Sequence, residues 1–99
     1  MKNKIFGIET YEVYDWGYGK KDIVDYVEPL FHRTEKSARK KMNEIFDDYL
    51  KELKEEHQLS EKSLKIIKNE KFVSIKCYDE DKDLEIYISI SVREFELEE

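Results

Sequence analysis

The sequence predicts a single-domain α+β protein in which one long amphipathic helix packs on one face of an antiparallel sheet of four to five strands. Two observations support this class. Apolar residues recur at helical spacing in one central segment, and segments rich in β-branched and aromatic residues lie on both sides of it, in the order β-β-α-β-β. The 99 residues fit one domain, spanning 1–99, and the 13% of aromatic residues separates the chain from disordered sequences of similar charge.

An opening β-hairpin is predicted from the first third of the chain. Residues 4–16 are rich in Ile, Val, Thr and Tyr and form the first predicted strand, in which Gly7 indicates a bulge or a close backbone approach. Two glycines predict a turn at residues 16–22, and residues 23–31 return as the second strand. Pro29 cannot donate to a ladder, so the far end of that strand must be an edge or a terminus.

The central helix is predicted to begin after Thr34, whose hydroxyl can cap it, and to end near Glu56. One stripe of apolar residues has the period of an α-helix and is predicted to face the sheet. Its members are Ala38, Met42, Ile45, Phe46, Tyr49, Leu50 and Leu53. The opposite face carries charged pairs typical of a solvated helix surface.

The C-terminal third predicts two strands, at residues 72–78 and 84–92, joined by a polar loop at 79–83. In the last strand, apolar and polar residues alternate strictly, so one face is predicted to be buried and the other solvated. Residues 63–67 are predicted to form a short extra strand or a helical turn.

The alternation of the last strand changes phase near its end. Phe95 and Leu97 are out of step with Val92, and this predicts a bulge close to Arg93 and Glu94.

The acidic loop has the spacing of a calcium site, because Asp79, Asp81 and Asp83 occupy positions one, three and five. A calcium loop also needs a glycine at position six and a glutamate at position twelve, and Leu84 and Ile90 stand there instead. We therefore interpret the loop as a solvated hairpin turn.

Other chemical motifs are incomplete. His32 and His57 lie at opposite ends of the predicted helix, roughly 35 Å apart, and cannot share a metal within one chain. Cys77 is expected to be a small buried hydrophobe, with a nucleophilic role as the less favoured alternative. Residues 17–20 lack the strand, spacing and helix of a phosphate-binding loop. No catalytic, cofactor-binding or metal-ligating residue is predicted.

Charge is unevenly distributed along the chain. Residues 77–99 hold nine acids against two bases, while the net charge of the whole chain is −6. A basic cluster at the start of the helix (Arg33, Lys36, Arg39, Lys40 and Lys41) could indicate nucleic acid, but the overall negative field works against binding to phosphates. A basic or nucleic-acid-handling protein is the partner that this charge favours.

Aromatic and acidic side chains supply the candidate interface. Tyr and Trp are enriched at interface hot spots because they provide a large contact area at low entropic cost. The candidate residues are Tyr11, Tyr14, Trp16, Tyr18, Tyr87, Asp79, Glu80, Asp81, Asp83 and Glu85. Replacing Trp16 with Ala is expected to weaken binding by more than about 1 kcal/mol. The alternative is that the rings cap a thin core.

The segment LFHRTEKSARKKM and the ending VREFELEE resemble a pattern in small uncharacterised proteins of low-GC Gram-positive bacteria and their phages. In these proteins an aromatic residue, a Ser or Thr cap and a charged helix follow an opening hairpin. The resemblance implies an origin in a phage or mobile element, and it carries no function with it.

These observations favour a non-enzymatic protein-binding module, specifically an inhibitor of a host nucleic-acid enzyme or defence system. A structural homo-oligomer or a small-ligand-binding domain is the alternative. A lone cysteine, the absence of a secretory leader and the lack of a long apolar stretch predict a cytoplasmic protein. Neither a cofactor nor membrane association is expected.

Overall fold

The computed structural model describes residues 3–97, which form one five-stranded antiparallel sheet and one helix. The elements are β1 (Asn3–Gly17), β2 (Lys20–Val27), α1 (Glu35–Glu56), a 3₁₀ turn (Glu61–Ser63), β3 (Leu64–Lys68), β4 (Phe72–Asp79) and β5 (Leu84–Leu97). The predicted α+β class is confirmed. The short extra segment is a strand, so the order is β-β-α-β-β-β.

The strands lie in the spatial order β2-β1-β5-β4-β3, with every neighbouring pair antiparallel. The long strands β1 and β5 form the centre and pair from Asn3 opposite Leu97 to Asp15 opposite Glu85. Because β1 ends where β5 begins, the β1–β2 turn and the β4–β5 turn lie at the same end of the sheet. We call this end the tip end.

Helix α1 begins and ends with defined caps. The Thr34 Oγ1 accepts a hydrogen bond from the Ser37 backbone N–H at 3.1 Å, as its position predicted. At the other end Gln58 adopts a left-handed backbone with φ 52°, and the Leu59 N–H points back to the Leu53 carbonyl at 3.5 Å. The predicted limits of the helix are therefore confirmed.

The core joins the helix to the two central strands. The helix contacts β1 and β5, and its buried side chains form one cluster with the inward residues of the sheet. From the predicted stripe, Ala38, Met42, Phe46 and Leu53 are buried, and Ile45, Tyr49 and Leu50 pack against the cluster while partly exposed. The alternation predicted for β5 is confirmed, because its buried residues are Leu84, Ile86, Ile88, Ile90 and Val92.

The sheet has two different faces. The core face carries Ile8 of β1, Ile75 of β4 and the buried residues of β5. The outer face carries the alternate residues, including Tyr11, Val13, Ile23 and Tyr87, and these are half-buried or exposed.

The β1–β2 turn is much shorter than predicted. Trp16 belongs to β1 and residues 20–22 belong to β2, so only Tyr18 and Gly19 lie between the strands. Two consecutive residues with positive φ make a tight hairpin turn, whose twist matches that of the strands. At its other end β2 stops at Val27, so the predicted strand limit at Phe31 is wrong, and the strand ends before Pro29, which cannot donate to a ladder.

The predicted bulge near Arg93 and Glu94 is wrong. The β1–β5 register runs through both residues without a shift. Phe95 therefore lies on the outer face, where its ring meets that of Phe31 edge to face at 5.7 Å between centroids. The side chain of Leu97 lies outside the described residues.

Gly7 marks a close approach made by two aromatic side chains, rather than the bulge or backbone approach that was predicted. A Cβ at Gly7 would lie 2.9 Å from the Cε1 of Phe31 and 3.0 Å from the Cε2 of Phe95. The absence of a side chain lets these two rings cover β1, and this packing explains why the strand alternation changes phase at Phe95.

Candidate protein-binding surfaces

Three segments converge at the tip end. The two hairpin turns are brought together by the β1–β5 ladder, which ends with Asp15 opposite Glu85. The C-terminal end of α1 joins them because the His57 Nδ1 lies 3.0 Å from the Asp79 Oδ2, at the end of β4. Tertiary structure thus places the aromatic hairpin tip and the acidic turn side by side.

Tyr18 is the most exposed of the aromatic candidate residues. The residue is fully exposed, and its backbone has φ 55° between Gly17 at 78° and Gly19 at 76°. A left-handed backbone is unfavourable for a residue with a Cβ, and Asn is the usual residue at this position of such a turn. The chain therefore keeps a large ring in solvent on a backbone that favours another residue.

Trp16 lies on the core face and packs partly against the apolar cluster. Its Nε1 donates to the Asp22 Oδ2 at 3.0 Å, and the Lys20 Nζ lies 5.8 Å from the ring centroid. These contacts hold the two strands of the hairpin together close to the turn. Trp16 therefore has a structural role that sequence reasoning did not assign to it.

Tyr14 also lies on the core face and is half-buried. Its hydroxyl donates to the Glu12 Oε1 at 3.0 Å, and burial, followed by the nearby Glu12 carboxylate, raises the pKa of the phenol. Tyr14 is therefore engaged within the molecule.

Tyr11 and Tyr87 meet on the outer face, edge to face, with 6.4 Å between ring centroids. Beside them, Glu85 pairs with Lys76 at 3.3 Å. Two open depressions of about 310 and 350 Å³ flank this ion pair, and Lys76 and Glu85 line both of them. The outer face is thus a mixed aromatic and charged surface.

The acidic candidates have different environments. Asp79 is 3% exposed, and its carboxylate contacts His57 and the Lys82 backbone N–H, so it is a structural residue and the expectation that it lines an interface is wrong. The hydrogen bond from His57 holds the pKa of Asp79 below its ordinary value. Asp83 contacts the Tyr78 hydroxyl, whereas Glu80 and Asp81 are exposed at the turn.

The charge of helix α1 changes along its length. Residues 36–41 carry four bases and no acid, whereas residues 44–56 carry six acids against two bases. The acidic half ends at the tip end, because His57 contacts Asp79 there. We call the combination of Tyr18, the turn at residues 80–83 and helix residues 44–56 the acidic tip.

Sequence reasoning missed a polar cluster on the core face. Glu12 is 9% exposed, and the Tyr26 and Tyr49 hydroxyls lie 3.4 Å apart nearby. Burial, followed by the hydrogen bond with Tyr26, raises the pKa of Tyr49. The strict alternation of β1 could have revealed Glu12, because it falls in step with the buried Ile8 and Thr10.

The histidines have partners that the sequence did not predict. The His32 Nδ1 lies 2.8 Å from the Ser37 Oγ, at the start of α1, and His57 contacts Asp79 at its end. Cys77 is buried, as expected, and burial raises the pKa of its thiol to about 11.

Two kinds of feature are absent from the described part of the chain. Within residues 3–97, no group of three His, Cys, Asp or Glu side chains is placed to hold a metal ion. In the same part of the chain, the single α-helix is not apolar enough to cross a membrane.

Comparison with protein-family models, curated proteins and solved structures finds no significant match to this chain.

Proposed function

We propose that this chain is a non-enzymatic protein-binding module that recognises a basic partner through the acidic tip. Tyr18 is the central contact, and the acids of the neighbouring turn and of helix residues 44–56 form a charged rim. Aromatic residues surrounded by charge are a common arrangement at protein interfaces, where the ring supplies contact area and the rim steers the partner.

The observation that carries the proposal is the conformation of Tyr18. A fully exposed ring gains nothing from burial, and its φ of 55° is unfavourable for a tyrosine. Strained, exposed residues are retained where the strain serves a function. A bound partner would bury the ring and account for both features.

The charge along the helix supports the same surface. Bases near a helix N-terminus and acids near its C-terminus both oppose the helix dipole. Helix α1 has this unfavourable order, with its acids in the half that ends at the tip end. Recognition of a basic surface is a physical reason for keeping this order of charges along the helix.

The narrower form of the proposal is that the partner is a nucleic-acid-handling protein and that the chain inhibits it on behalf of a phage or mobile element. Support for this form comes from the acidic surface, which can occupy sites that bind phosphate, and from the resemblance of the helix segment and the ending.

The test is affinity capture from a lysate with the wild type and with Tyr18→Asn as parallel baits. Asn suits the turn, so the variant removes the ring without disturbing the hairpin. Leu30→Asn is the matched control, because Leu30 is 72% exposed and lies outside the acidic tip. We expect a protein that the wild type and the control retain and that Tyr18→Asn loses, with at least a fivefold weaker Kd by calorimetry.

A partner bound equally well by Tyr18→Asn would remove the hairpin tip from the proposal. Trp16→Ala is a less suitable test than the sequence suggested, because Trp16 also holds β1 to β2.

A further inference from the structure

Strand β2 presents a free edge. Within residues 3–97 it is the outermost strand and pairs only with β1, and all eight of its residues are exposed. Ile23 is 58% exposed, Val24 41% and Val27 42%. Edge strands of this length with apolar side chains readily pair with another strand unless charge or proline prevents it.

The backbone ladder identifies which residues can pair across that edge. The Glu28 N–H donates to the Ile8 carbonyl at 2.8 Å, and in an antiparallel ladder the residues that bond to β1 then alternate. Even-numbered residues of β2 bond to β1. The odd-numbered residues Lys21, Ile23 and Asp25 therefore direct their N–H and C=O groups outward.

We infer that the outer edge of β2 binds the β2 edge of a second copy of this chain, antiparallel, with Ile23 opposite Ile23 of the other copy. This register pairs outward-facing residues with outward-facing residues, as the hydrogen bonds of a ladder require. It also sets Lys21 opposite Asp25 twice, once on each side of the two-fold axis. Both apolar contact and opposite charge then favour one arrangement.

The neighbouring registers are less favourable. If the two-fold axis passes through residue 22 instead of residue 23, Asp22 lies opposite Asp22. If it passes through residue 25, Asp25 lies opposite Asp25. If it passes through residue 24, Lys21 lies opposite Val27 and Asp25 lies opposite Ile23, so neither charge has a charged residue opposite it. Like charges directly opposite each other destabilise a strand pair, so charge selects the Ile23 register.

The other free edge does not offer the same complementarity. Strand β3 has five residues, and its charged residues are Lys65 and Lys68 with no acid. Self-pairing of β3 would form no ion pair, so the inference concerns β2 alone.

Charge exchange tests the register. Lys21→Asp and Asp25→Lys each place like charges opposite each other at both sites, so each variant alone is expected to dissociate at least tenfold more readily than the wild type, about 1.4 kcal/mol. An equimolar mixture restores both ion pairs in a heterodimer. We expect sedimentation velocity over a concentration series to show dimers in the mixture and monomers in each variant alone.

The mixture also controls for folding. Lys21 lies 3.9 Å from Asp15 within the chain, so Lys21→Asp alters an internal contact as well. A fold defect would not be repaired by mixing, whereas a mismatched register would. Failure of the mixture to form dimers would overturn the proposed register.

Proline substitution tests the edge. Ile23→Pro removes an outward N–H and leaves the β1–β2 ladder intact, so the variant should fold and remain monomeric. Ile66→Pro is the matched control. The Asn69 N–H donates to the Phe72 carbonyl, so by alternation the backbone N–H of Ile66 points away from β4, toward the free edge of β3. We expect this control to dimerise like the wild type.

A wild type that stays monomeric at every concentration would overturn the inference, as would dimers that persist in Ile23→Pro. This outcome is separate from that of the proposed function, since Tyr18→Asn should lose the captured partner and still dimerise.

Discussion

Tyr18 stands where hairpins of this type prefer Asn, because Asn tolerates the left-handed backbone better than a bulky residue does. We expect Tyr18→Asn to raise the free energy of unfolding by about 0.5–1 kcal/mol, part of the left-handed penalty of roughly 1–2 kcal/mol per residue. Urea denaturation of the two proteins measures this difference. An equal or lower stability of the variant would show that the ring stabilises the hairpin.

Asp79 is a single residue that couples stability to pH. Its folded pKa lies below the ordinary value, first because His57 donates to it and then because of the Lys82 N–H. A lowered pKa contributes stability above the unfolded pKa, near 4, and that contribution is lost as the pH falls through the folded pKa.

We therefore expect the wild type to lose more stability than Asp79→Asn between pH 6 and pH 2, because only the wild type carries the contribution of the lowered pKa. Thermal unfolding across this range is the measurement. Glu52 acts in the opposite direction, because burial and then Glu56 raise its pKa, so Glu52→Gln is the control. Parallel pH profiles for the wild type and Asp79→Asn would contradict the assignment.

Cys77 should be a slow nucleophile in the folded protein. Burial, followed by the charge of Asp79, raises the pKa of its thiol to about 11, so little thiolate forms near neutral pH. We expect reaction with a disulfide reagent to be about 100-fold slower in buffer than in urea. Equal rates would mean that the strand around Cys77 opens freely.

At the scale of single elements, helix α1 depends on its N-cap. The Thr34 Oγ1 satisfies the Ser37 N–H, one of the donors without a partner inside the helix. We expect Thr34→Ala to lower the free energy of unfolding by about 1 kcal/mol and Thr34→Ser to preserve most of it. Urea unfolding followed by circular dichroism makes the comparison, and a loss confined to Thr34→Ser would rule out the cap.

Strand periodicity was the most informative pattern at this scale, and in β1 it divides the candidate aromatic residues between two faces. Tyr11 and Tyr14 are three residues apart, so they must lie on opposite faces of a strand. The candidate aromatic residues therefore divide among the outer face, the core face and the turn. The position of the β1–β2 turn does not follow from periodicity. In the sequence Trp16 resembles a residue of the turn, and only the structure shows that it bonds to Asp22 within the strands.

At the scale of the whole molecule, the proposed recognition depends on the charge of the acidic tip. We expect the Kd for the captured partner to rise as salt increases from about 0.05 to 0.5 M, because exposed charges are screened. Calorimetry at several salt concentrations tests this, with Glu80→Gln reducing the salt dependence and Glu70→Gln, in the β3–β4 turn, leaving it unchanged. Binding independent of salt would exclude the charged rim.

The sequence by itself determined the α+β class, the limits of the helix and the alternation of β5, because these follow from local periodicity and capping. Tertiary structure alone decided the strand order, which brings the two turns together at the tip end, and the burial of Asp79 against His57. It also decided the side on which Phe95 lies, since Phe31 reaches it over Gly7 from a distant segment. Local patterns carry no information on which distant residues will meet, and those meetings define the candidate surfaces.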